Sequence, residues 1–128
     1  MSARQSQAQL LKTLSHPTRL AVLEILRDGE QCVCHMEAML GLRQASISQQ
    51  LMVLREAGLV AIRRDGLNVY YRVTRPQVYT VLDAVNAAAG RPGPSMRHKH
   101  GRAECPCPKC NSEQWISASL ADAIKVLP

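Results

Sequence analysis

Apolar residues along positions 1 to 90 fall into two periods. Leu10, Leu11 and Leu14 make a narrow stripe on a Gln-rich background, predicting a helix over residues 4 to 14 that needs a partner surface. Ser15-His16-Pro17 breaks it and opens a second helix, with Pro in the first turn and Ser15 or His16 as cap. That helix carries Leu20, Leu23 and Leu26 and ends at Asp28-Gly29. Residues 30 to 40 and 43 to 57 read as a helix pair joined at Gly41. In the second of them Ile47, Leu51 and Leu54 recur at i, i+4, i+7, and Gly58 closes it. The period then changes to two. Leu59 to Arg64 and Leu67 to Val73 are rich in β-branched and aromatic residues, with Asp65-Gly66 between them, a hairpin signal. Thr74-Arg75-Pro76 opens a last helix in which Val78, Val81, Leu82 and Val85 share a face, continuing through Ala87-Ala88-Ala89 to Gly90.

The polar positions give this pattern a purpose. Opposite the apolar stripe, residues 43 to 55 carry Arg43, Gln44, Ser46, Ser48, Gln49, Gln50 and Arg55, a polar, cationic face with no carboxylate. Short amides and hydroxyls exchange hydrogen bonds with base edges, and Arg binds phosphate or guanine. Two short helices with a Gly turn, the second polar and outward-facing, make a helix-turn-helix. In the hairpin, Leu67, Val69, Tyr71 and Val73 share one side, and Asn68, Tyr70 and Arg72 the other. With Arg63, Arg64, Asn68 and Arg72 the hairpin reads as a basic wing directed at the backbone or minor groove. The predicted fold is mainly α with a small β-hairpin wing, a winged helix-turn-helix in the order α-α-α-α-β-β-α. The first and last helices are candidate dimer contacts.

Composition narrows the class. The 128 residues carry a net charge of +6 and no Phe, so the core draws on Leu, Val, Ile, Ala and Met, and polyanionic partners are favoured. No apolar run reaches a membrane span, and Met1-Ser2-Ala3-Arg4-Gln5 has no signal-peptide core, so a cytosolic protein without membrane partners is expected. From Gly90 the composition shifts, dividing a DNA-binding and dimerisation domain at 1–90 from a tail at 91–128. The tail contains a Gly/Pro linker, a basic run with His98 and His100, and Cys105-Pro106-Cys107-Pro108-Lys109-Cys110. A closing segment follows, in which Asn111-Ser112 cap a helix bearing Ile116, Leu120, Ile124 and Leu127.

The five cysteines form two tight clusters, which in a reducing compartment suggest metal binding or redox chemistry rather than a disulfide framework. Cys32 and Cys34 lie at a helix start, where the dipole and unpaired N–H groups favour a thiolate. Two residues apart on an ideal helix, they point about 200° apart, so sharing one ion requires local unwinding. Bound there, an ion would distort the helix that supports the DNA reader. Cys105, Cys107 and Cys110 lie on a Pro-stiffened loop able to aim three sulfurs at one centre. Three thiolates suit As(III) or Sb(III), and with a further ligand Cd(II), Pb(II) or Zn(II). The clusters combine in one of three ways: a shared site within or between protomers, two separate sites, or a structural zinc in the tail with a sensor at Cys32 and Cys34.

Four stretches carry a resemblance. Leu14-Ser15-His16-Pro17-Thr18-Arg19-Leu20, Glu30-Gln31-Cys32-Val33-Cys34-His35-Met36, residues 41 to 58, and Val69-Tyr70-Tyr71-Arg72-Val73 together resemble the ArsR/SmtB family. These are dimeric bacterial winged helix-turn-helix repressors that release operator DNA when a metal or metalloid binds. The resemblance covers about residues 10 to 85 and implies that Cys32 and Cys34 contribute ligands. The usual leucine and aspartate of that metal box are replaced by Gln31 and His35, and Glu37 stands where a third cysteine sometimes occurs. Residues 75 to 90 contain Asp83 but no His, so the family's zinc-type site on the last helix is missing.

The expected function is a homodimeric repressor that binds an inverted-repeat operator in double-stranded DNA and releases it on binding As(III) or Sb(III). A thiol redox or sulfide sensor on the same scaffold and a metal-sequestering protein without DNA binding are the alternatives. An enzyme is not expected: no nucleophile–base arrangement, phosphate-binding Gly loop or acid pair is visible.

Overall fold

The computed structural model describes residues 2–90. Its elements run α1 (Ala3–Leu14), α2 (Pro17–Ile25), a 3-10 turn (Leu26–Asp28), β1 (Gln31–Cys32), α3 (Val33–Leu40), α4 (Gln44–Glu56), β2 (Val60–Asp65), β3 (Asn68–Val73) and α5 (Gln77–Ala88). The expected architecture, mainly helical with a winged helix-turn-helix, is present, with one strand added. The proposed linker, cysteine-rich segment and terminal helix of 91–128 lie outside the described residues.

Local chemistry sets the helix starts. A reciprocal cap opens α1: the Gln5 N–H donates to Ser2 Oγ at 3.2 Å and the Ser2 N–H to Gln5 Oε1 at 2.9 Å. His16 rather than Ser15 caps α2, its Nδ1 accepting from the Thr18 N–H at 3.2 Å, with Pro17 in the first position.

The expectation of a helix over 30 to 40 is corrected at its start. Gln31 and Cys32 are extended and pair antiparallel with β3, Gln31 opposite Tyr71 and Cys32 opposite Tyr70, so the helix begins at Val33. The strand ladder gives these two residues backbone partners, which the first residues of a helix would lack. The wing is therefore a three-stranded sheet in the order β1-β3-β2. Its hairpin loop is Gly66-Leu67, one residue later than the Asp65-Gly66 expected, because Asp65 still pairs with Asn68. Gly66, with φ +59°, supplies the positive φ that the first position of a tight hairpin loop requires.

A single main core gathers Leu14, Leu23, Ile25, Met36, Leu59 and Val78 around the α4 stripe of Ile47, Leu51 and Leu54, all three fully buried. α4 thus packs against α2, α3 and β2 while its polar face stays outside. The apolar stripe of α5 is divided. Val78 and Leu82 are buried in this core, whereas Val85 is 49% exposed. Tyr79 anchors the helix, its hydroxyl donating to the Leu23 carbonyl at 2.6 Å, and burial holds that phenol above its ordinary pKa. The Arg27 guanidinium lies 4.5 Å from the Tyr79 ring centroid and bridges Glu24 and Asp83 at 2.8 and 2.9 Å. The hydrogen bond to Glu24, then that to Asp83, holds Arg27 more firmly protonated than usual.

Leu51 has no exposed surface and Met52, next to it, is 60% exposed. Urea unfolding of Leu51→Ala is expected to show a loss of about 3 kcal/mol. Met52→Ala should stay within about 0.5 kcal/mol of the parent protein.

Candidate nucleic-acid interface and thiol pair

Burial of the α4 stripe decides which side chains face outward. Arg43, Gln44, Ser46 and Gln49 are exposed, and Ser48 is half-buried. No acidic residue lies in the first turn of α4, so its N-terminal end presents N–H groups and cationic character without a competing carboxylate. Gln50 differs from the rest of the predicted set. It is half-buried, and its Oε1 accepts a hydrogen bond from Arg19 Nε on α2 at 2.8 Å.

Alternation along the wing separates its arginines. Arg63 and Tyr70 are directly paired across β2 and β3, as are Ala61 and Arg72, which places Arg63, Tyr70 and Arg72 on one face. Arg64 pairs with Val69 on the other. Arg64 and Arg72 are exposed, and Asn68, opposite Asp65 at the hairpin end, is half-buried. Arg63 is already engaged: its Nε donates to the Glu30 carboxylate at 3.0 Å, and its guanidinium sits 4.7 Å from the Tyr70 ring centroid. The hydrogen bond to Glu30 raises the Arg63 pKa.

Tyr70 differs from Asn68 and Arg72, with which it shares a side of β3. It is 3% exposed and forms a small cluster with Cys32, against which Cys34 packs. β1 covers it on one side and Arg63 on the other.

The thiol pair follows from the same local geometry. Cys32 caps α3 in extended conformation, φ −85° and ψ 162°, and its Sγ accepts from the His35 N–H at 3.4 Å. Cys34 lies on the first turn. One residue outside the helix and one within it bring the two sulfurs to 2.8 Å, close enough for a thiol hydrogen bond. The expectation that the pair diverges by about 200° fails, because Cys32 is not helical. No unwinding is needed for both sulfurs to meet one ion. An N–H bond and a helix N-terminus both favour a thiolate at Cys32, which fits a soft ion or an electrophile. Among the described residues no group of three or more His, Cys, Asp or Glu could hold a metal, so any further ligand has to come from elsewhere. Cys105, Cys107 and Cys110 lie outside the described residues.

Residues 16–61, which span α2, α3, α4 and the start of β2, match the family described as bacterial regulatory protein, arsR family. A biofilm growth-associated repressor from Agrobacterium fabrum is 45% identical over 80 residues, covering 62% of this chain and 68% of that protein. The chain belongs to the arsR family. It is a winged-helix transcriptional regulator and not an enzyme. An arsenic resistance transcriptional regulator from Pseudomonas putida is 44% identical over 77 residues, 59% of each chain. The structure also matches an NMR structure of a homodimeric winged helix-turn-helix DNA-binding domain from Mycobacterium bovis, with a TM-score of 0.60 and 29% identity. That match covers 70% of this chain and 88% of the other.

Within this arsR-family scaffold, three side chains beside the site escaped sequence reasoning: Arg19, Glu30 and Tyr70. Arg19 meets Gln50 across 31 residues and Arg63 meets Glu30 across 33, so no local period marks either contact. For Tyr70 a signal existed, a large aromatic at an otherwise polar alternation position between Asn68 and Arg72. Among the described residues, no helix is long and apolar enough to cross a membrane.

Cys32 is 4% exposed and Cys34 is partly exposed, so the two thiols differ in access. Timed alkylation of the folded, reduced protein with a maleimide, read by peptide mass mapping, is expected to modify Cys34 before Cys32. Equal rates would show that the β1–Tyr70 cover opens readily.

Proposed function

We propose that this chain is a homodimeric repressor that binds an inverted-repeat operator through α4 and the wing, and releases it when a thiophilic ion binds. As(III) or Sb(III) is the favoured ion, with Cd(II), Pb(II) or Zn(II) next. The observation that carries the reading is the pair of sulfurs 2.8 Å apart at the start of α3, the helix packed directly against α4. Cys32 and Cys34 supply two ligands, and Cys105, Cys107 and Cys110 complete a thiolate set that soft ions prefer. The name of the Pseudomonas putida relative, an arsenic resistance regulator, supports the metalloid.

Residues 1–90 act as the DNA-binding and dimerisation unit and residues 91–128 as the cysteine-bearing extension. Arg43, Gln44, Ser46, Ser48, Gln49 and Gln50 read or position the major groove, and Arg64, Arg72, Asn68 and Arg63 approach the backbone or minor groove. Exposed Leu11 on α1 and Val85 on α5 support dimerisation through these helices, as does the homodimeric Mycobacterium bovis domain.

Coupling from thiols to DNA has two short routes. An ion held between Cys32 and Cys34 spreads the two sulfurs from their 2.8 Å contact and so moves the N-terminus of α3, which supports α4. It also pulls on β1, whose Cys32 is the ladder partner of Tyr70 in the wing. Either movement places reader and wing out of register with the groove, a binding free energy at one site working against binding at the other. Oxidation of the same pair to a disulfide by a peroxide is a second reading, supported by the same short contact.

Fluorescence anisotropy of the full-length, reduced protein on the duplex upstream of its own gene tests the proposal. As(III) is expected to lower the affinity, and Cys32→Ser to bind DNA as before but to lose that response. Release by peroxide but not by As(III) under strict reduction would replace the ion with an oxidant. Absence of sequence-specific binding would favour ion sequestration.

A salt titration separates the wing arginines. Arg64→Ala is expected to reduce the log–log salt slope by about one. Arg63→Ala should reduce it by less, because Glu30 already offsets that charge.

A further inference from the structure

Arg19 stands near the start of α2 and touches two other helices at once. Its Nε donates to Gln50 Oε1 on α4 at 2.8 Å, and its Nη1 donates to the Thr13 carbonyl, at the end of α1, at 3.0 Å. A guanidinium has only donors. The contact therefore admits one orientation of the Gln50 amide: the oxygen turned onto Arg19, and the NH2 left for a partner beyond it. Gln50 lies one helical turn after exposed Ser46 and adjoins exposed Gln49, on the edge of the polar face.

That orientation has a consequence for base reading. Glutamine recognises adenine with both halves of the amide, the oxygen accepting from N6 and the nitrogen donating to N7. Arg19 takes one of the oxygen's two lone pairs and holds that end of the amide toward α2, which weakens the two-bond geometry relative to donation alone. Donation remains, and guanine offers two acceptors, O6 and N7, on one major-groove edge. We propose that Arg19 is a specificity-determining positioning residue: by holding the Gln50 oxygen it makes Gln50 a hydrogen-bond donor, so that α4 selects guanine over adenine at the base pair Gln50 meets. The Thr13 bond stiffens this arrangement by fixing the guanidinium at its other end. The inference rests on α4 being the DNA-reading helix.

Selection from a randomised duplex library with the full-length protein, followed by sequencing, tests it. In the parent protein one column of the selected site is expected to favour guanine over adenine by about tenfold, within the range of a directed base contact. Gln50→Ala should flatten that column alone. Gln50→Glu keeps the Arg19 contact but offers only acceptors, and should turn the column to cytosine, whose N4 donates. Arg19→Lys keeps a donor on the oxygen and should leave the column unchanged. Arg19→Ala frees the amide and should raise adenine there at least to the level of guanine, with the other columns unaltered.

A Gln50→Ala pool identical to the parent pool would overturn the proposal. So would an Arg19→Ala pool in which enrichment falls at every column alike, since that is the signature of a residue that only holds the helix. If Arg19→Ala does not fold, the Gln50→Ala and Gln50→Glu columns decide. No enriched sequence in the parent pool would overturn the DNA-reading assignment of α4 itself, a different failure from an enriched site that Gln50 does not touch.

Discussion

The two-residue pairing of Gln31 and Cys32 with Tyr71 and Tyr70 is the contact on which the arrangement around the thiols depends. It joins the wing to the start of α3. It keeps Cys32 extended, and so sets the separation of the two sulfurs. It also buries Tyr70, giving Arg63 a ring to lie over and a position from which to reach Glu30. Those ladder bonds give the hairpin a third strand, and two-stranded hairpins are marginal in water. The strand is short, so a modest perturbation at Cys32 acts on a large share of its bonds. A chemical event at the thiols is therefore well placed to be felt in the wing.

The recognition helix is held differently. Three fully buried residues, Ile47, Leu51 and Leu54, anchor α4 against α2, α3 and β2, and the opposite face is left polar. Apolar burial fixes where the helix lies but is indifferent to how its polar side chains are turned. Directional bonds settle that. Arg19 supplies one such bond at Gln50, and it ties the same point to the end of α1. Helix position and side-chain orientation thus have separate physical origins in one element.

Charge in the wing is less uniform than its composition suggests. Arg63 belongs to a local group with Glu30 and Tyr70, whereas Arg64 and Arg72 have no ion pair among the described residues. Exposed ion pairs are individually weak, so Arg63 is biased toward Glu30 rather than locked to it. A nearby phosphate would compete with that carboxylate, and the wing carries a graded rather than a fixed positive charge.

Much of this fold was legible in the chain because it rests on local rules. The period of Ile47, Leu51 and Leu54, the Pro17 and Gly41 punctuation, and the change to period two after Gly58 each depend on neighbours in sequence, and each element appears near its expected bounds. The candidate site was legible in residue type: Cys-x-Cys and a polar helix face with no carboxylate from Arg43 to Arg55 are chemical signatures that need no coordinates. What the tertiary structure alone decided lies in long-range pairing. Gln31 and Cys32 read as helix locally and became strand because β3 offered ladder partners about forty residues away. Tyr70 read only as sharing a side with Asn68 and Arg72, and it is buried because that same strand covers it. Arg19, Gln50, Glu30 and Arg63 read as separate polar residues and became two bonded pairs. Periodicity records which face of an element is apolar. It holds no information about which distant polar group will stand within hydrogen-bonding distance, and only the packed chain supplies that.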